Sequence, residues 1–187
     1  MVDTSQNQSP SPEPAAQPSA APPEPTDREM ASLLRHLDAQ RQHVLGILEG
    51  LSEEQLRQPV LPSGWHCLGL VNHLAVSDEH YWFRCVVAGE PFDELPGQED
   101  TWEVPPQESA ADLVERYQEA IRRSNAIMVS SSLDAAPRQP DPDWEPWGIE
   151  FPDVRSVAMH VLTETSIHAG HLDAVRELID GRQWVVL

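Results

Sequence analysis

Residues 155–181, Arg-Ser-Val-Ala-Met-His-Val-Leu-Thr-Glu-Thr-Ser-Ile-His-Ala-Gly-His-Leu-Asp-Ala-Val-Arg-Glu-Leu-Ile-Asp-Gly, constrain the fold more than any other stretch of this chain. Wound as a helix at about 100° per residue, they align Val157, Val161, Leu172, Val175, Leu178 and Ile179 on one stripe. Glu164, His168 and His171 fall inside the same stripe. A carboxylate and two imidazoles at i, i+4 and i+7 would then face a core. An uncompensated buried charge there costs several kcal/mol or is neutralised, and a bound metal ion is the economical compensation. Gly181 is placed to end the helix in the left-handed position beyond its last turn.

Three further amphipathic segments precede it. The first helix is expected over about 27–50, opened by a capping box Thr26-x-x-Glu29, with Met30, Leu33, Leu37, Val44, Leu48 and Leu51 as its apolar stripe. His36 and His43 lie on the border of that stripe and read as partly exposed. Ser52-x-x-Gln55 caps a short turn, and Pro59 to Gly64 breaks the chain. The second helix should run about 68–88. Around His73 it gathers Leu70, Val76, Ser77, His80, Arg84 and Val87, flanked by Leu74 and Phe83. His80 and Arg84 line either a pocket mouth or a solvent-facing ion pair. The third helix, about 110–130 behind Ser109-x-x-Asp112, carries Leu113, Val114, Tyr117, Ala120, Ile121, Ser124 and Met128. With no carboxylate or histidine on that stripe, it reads as structural.

Residues 89–108 are acidic and proline-bearing, a long crossover with Trp102 pinned to the helices. Residues 131–153 form a second long connection whose Trp144 and Trp147 either wall a ligand site or cover the open end. These elements define an all-α, four-helix bundle domain over 26–187. Residues 1–25, almost without large apolar side chains, form a disordered Pro/Ala-rich tail. The apolar end, Trp184 to Leu187, suits docking on the bundle or a homodimer seam.

The formal net charge of −19 opposes nucleic acid or an anionic membrane as partner. Cys67 and Cys85 are too few for a disulfide framework, which points to a reducing cytoplasm. No apolar run of about 18 residues and no leader is visible. All 12 basic residues are arginine.

If the second and fourth helices are neighbours, His73, Glu164 and His168 converge as three metal ligands, leaving an open position for water or substrate. Zinc comes first for such a set; iron and nickel accept the same donors. His171 would be a fourth ligand, a proton shuttle or a partner orienting Glu164. The alternative is a buried Glu164–histidine network that holds no metal. A zincin fits less well, because it needs His-Glu-x-x-His, which is absent. A di-iron bundle needs carboxylates from all four helices.

The run Gly69-Leu-Val-Asn-His73-Leu-Ala, followed by Tyr81-Trp-Phe-Arg84 and Ala88-Gly-Glu90, resembles the second-helix signature of the DinB/YfiT-like superfamily of metalloenzymes. The segment from His160 to Gly181 is similar to the last helix of an actinobacterial branch. The resemblance spans about residues 28–183. It implies an up-down-down-up bundle with long crossover loops, and a metal held by one histidine of the second helix and two residues four apart on the last. Glu164 in the first of those two places resembles the His-Glu-His set of mycothiol-dependent maleylpyruvate isomerases, whereas His171 stands where many members carry Gln. The implied activity is a divalent-metal-dependent transfer or isomerisation of a small electrophile, with mycothiol as cosubstrate and His171 and Arg84 as catalytic candidates. Zinc-hydroxide hydrolysis and a non-catalytic metal- or ligand-binding bundle are the competing readings of the same residues.

Overall fold

A computed structural model describes residues 25–92, 101–141, 144, 146 and 148–184. The N-terminal tail, residues 93–100 of the first crossover, Trp147 and the last three residues lie outside them. Helix α1 spans Pro25–Leu48 and the short α2 spans Glu53–Leu56. Helix α3, Cys67–His73, continues directly into a π-wound segment, Leu74–Val87. Helix α4 covers Ala110–Ser130 and α5 covers Val154–Asp180. Among the described residues the structure is entirely helical, and the helices pack against one another.

Local chemistry sets most of the boundaries. Ser52 accepts from the Gln55 amide while Gln55 returns a bond to the Ser52 amide, the reciprocal box expected there. Ser109 caps α4 through the Asp112 amide. Gly181, at φ 77°, closes α5 in the left-handed conformation a side chain resists. Thr26, the cap expected for the first helix, falls within the range of α1. At α5 the cap is Asp153, which exchanges bonds with Ser156 and starts the helix at Val154.

The core divides into two apolar clusters. One joins Val44, Ile47 and Leu48 of α1 to Leu70, Leu74, Leu113, Tyr117, Leu172 and Val175. The other joins Leu37 to Phe83, Val86, Met128, Val157 and Val161. Between them in sequence, on every long helix, sit buried polar groups: Arg41, Asp78 and Glu79, Ser124, and Thr165. Arg41 Nε and Nη2 donate to the two Glu79 oxygens at 2.7 and 2.6 Å, and Arg41 Nη1 reaches Asp38 and Asn125.

The α5 stripe is rotated from its expected position. Thr165, His168 and Leu172 are buried, whereas Leu178 is 61% exposed. Glu164 is half-buried and His171 exposed, so these two flank the stripe instead of lying within it. Trp184 stacks on His43 and covers Gly46, where any Cβ would collide with the indole. Trp184 thus docks on α1.

Candidate functional site

His73 ends the α-helical part of α3, where the wider π turns begin. His168 faces it from the buried side of α5, ring centroids 5.2 Å apart and nearly edge to face. The Trp102 indole lies flat on His73 at 4.3 Å and meets His168 at 5.8 Å. Trp65 adds a second aromatic wall, 6.2 Å from Trp102 and 6.3 Å from His171. The expected pinning of Trp102 is therefore observed, and its target is a site histidine.

That indole is positioned through its backbone. Asn72 donates to the carbonyls of Thr101 and Glu103 while its own carbonyl accepts from Arg116. Gly69 permits the Trp102 carbonyl to approach so closely that a Cβ would lie 2.3 Å from its oxygen. The Thr101 hydroxyl meets His73 Nδ1 at 2.9 Å, fixing the ring and leaving Nε2 for another partner.

Both imidazoles are held neutral. Burial, and then the neighbouring His168, push His73 down to about 4. Burial, and then His171, lower His168 despite the Glu164 carboxylate 3.8 Å from its Nε2. Desolvation therefore outweighs the carboxylate, and the two are not an ion pair. His168 Nδ1 is buried without a hydrogen-bond partner among the described residues. A neutral imidazole with an unused nitrogen is the form that binds a metal. Glu164 lies beside His168, and among the described residues no three His, Cys, Asp or Glu side chains close into a metal-holding group.

The other candidates separate. His171 is 5.6 Å from His168, at the exposed edge of the site. Arg84 is engaged by Glu90 at 2.7 Å and by His80 at 3.3 Å. It lines a cavity against α4 whose lining includes neither site histidine. Sequence patterning missed Trp65 and Thr101, which lie in loops and carry no periodicity. Trp144 packs on Trp82 and Phe151 and also borders a cavity of about 450 Å³. Both cysteines are buried, and the Cys85 thiol donates to the Pro91 carbonyl.

The arrangement defines an all-helical protein with a neutral imidazole pair enclosed by aromatic walls. The sequence profile of the mycothiol-S-transferase family matches residues 32–181, and the chain belongs to that family, within the DinB/YfiT-like superfamily. Membership implies a transferase with mycothiol as cosubstrate. No curated protein and no solved structure matches the chain. No described helix is long and apolar enough to cross a membrane.

Proposed function

We propose that the chain is a mycothiol-dependent S-transferase or isomerase acting on a small electrophile where α3 meets α5. The carrying observation is the meeting of His73 and His168, neutral and from separate helices. The donor chemistry fits a divalent ion held by His73, Glu164 and His168, zinc before nickel or iron. The half-exposed Glu164 side chain has the freedom to complete the set. Such an ion, when bound, lowers a thiol's pKa and supplies a thiolate at neutral pH.

The chain's residues do the rest. Trp65 and Trp102 exclude water, Thr101 orients His73, and exposed His171 passes the thiol proton to solvent. Burial pushes the Cys67 thiol up to about 11, which makes it a poor nucleophile at neutral pH. That supports an external thiol. The order in which each long helix meets the two clusters (α1 and α5 in one sense, α3 and α4 in the other) supports the up-down-down-up bundle.

The test is elemental analysis of the purified full chain and of His73→Ala, Glu164→Ala and His168→Ala, with mycothiol consumption measured against a panel of electrophiles. Metal and thiol consumption should be lost together in each variant. Metal retained by all three variants overturns the ligand set, and turnover that needs no thiol overturns the transferase reading.

A further inference from the structure

The chain carries 12 basic residues against 31 acidic ones, yet Arg84, Arg116 and Arg123 border one cavity of about 290 Å³ between the π segment and α4. Ala75 and Ala120 are among the small side chains that leave the space, and His80 also lines it. Each guanidinium has a carboxylate partner: Glu90 for Arg84, Glu108 for Arg116, and Glu119 for Arg123. These bonds do not exhaust the donors. A guanidinium has five N–H groups, and among the described residues Arg123 uses only Nε, at 3.0 Å from Glu119.

His80 supplies the second, independent observation. It is only 7% exposed. Its Nδ1 lies 3.3 Å from Arg84 Nη1, and because a guanidinium only donates, Nδ1 accepts. The imidazole proton is therefore on Nε2. That nitrogen is buried without any acceptor among the described residues, whereas buried donors are ordinarily satisfied. An orphaned N–H on a residue that lines an arginine-bordered cavity is a donor that an oxygen acceptor would satisfy.

We propose that this cavity binds the oxyanion group of a small molecule, a carboxylate or a phosphate. His80 Nε2–H is the buried anchor, and the spare N–H groups of Arg84 and Arg123 are charge-assisted donors. This site is independent of the transferase reading, because neither His73 nor His168 lines it.

Calorimetric titration of the full chain with inorganic phosphate and with succinate, at constant ionic strength, tests it. At least one should saturate with a Kd in the millimolar range or tighter. The affinity should fall about fivefold or more in Arg123→Gln and in His80→Phe, and the His80 ring nitrogen resonance should shift on saturation. Phosphate alone binding assigns a phosphate-bearing ligand, and succinate alone a carboxylate-bearing one. Absence of saturable binding by either, or affinity unchanged in Arg123→Gln, overturns the proposal. The exposed Arg123 side chain keeps that comparison informative even if His80→Phe fails to fold.

Discussion

Arg41 and Glu79, 38 residues apart in sequence, form a two-pronged ion pair with both side chains essentially excluded from solvent. Removing one partner strands the other charge in the interior, a loss of about 3–5 kcal/mol. Glu79→Ala should therefore unfold at a much lower urea concentration. Replacing both residues with methionine should recover most of the loss, since apolar packing often equals a buried pair. Equal midpoints for wild type and Glu79→Ala would show the pair to be energetically idle.

The depressed imidazoles set an acid limit. Burial, and then Arg84, hold His80 down to about 4, and His73 is lowered to a similar value. An unfolded histidine titrates near about 6.5, so the unfolded chain binds more protons between these values. Stability is full above about 6.5 and is lost as pH falls toward about 4. The slope of the urea midpoint against pH should flatten in His80→Asn. Histidine resonances titrating near about 6.5 at positions 73 and 80 would contradict this.

Asp78 works in the opposite sense. Its carboxyl is raised well above its ordinary range by burial, then by Glu79 and Glu164. A Thr165 hydrogen bond to the carboxylate and the nearby Arg41 oppose that shift without overcoming it. The Asp78 contribution is favourable while the proton is held and is lost as pH rises through the folded pKa. Asp78→Asn should be nearly neutral in acid and increasingly stabilising relative to wild type as pH rises. A stability difference independent of pH would show that Asp78 does not titrate on folding.

The long helices were legible in sequence because apolar spacing and caps agree, as at Ser109 and Gly181. The approach of His73 to His168 was legible too, since each has aliphatic neighbours at helical spacing. The interior charges were not. Projection at 100° assumes α turns, but the chain from Leu74 to Val87 is π-wound, which changes the facing residues and buries Asp78 and Glu79. Arg41 did carry a signal, standing four residues after Leu37 and three before Val44 on the same stripe. Arg176 follows Leu172 at the same spacing. It binds the Ile47 and Glu49 carbonyls at the end of α1, a use that residue type alone does not disclose.

Gly69 links the fold to the site. In a helix interior, Gly→Ala ordinarily gains about 1 kcal/mol, and Gly170→Ala, with nothing within 4 Å of the new Cβ, should show such a gain. At Gly69 the same methyl group would meet the Trp102 carbonyl oxygen at 2.3 Å. Backbone cannot swing aside as a side-chain tip can, so the 101–103 segment must lift, straining the Asn72 bonds that hold it. Trp102 would then leave the face of His73 and open the site to water. Gly69→Ala should consequently be less stable than wild type, lose the indole ring-current shift on the His73 proton resonances, and show weaker thiol consumption. If that shift and the activity both persist, the glycine is not what seats Trp102 against the imidazole.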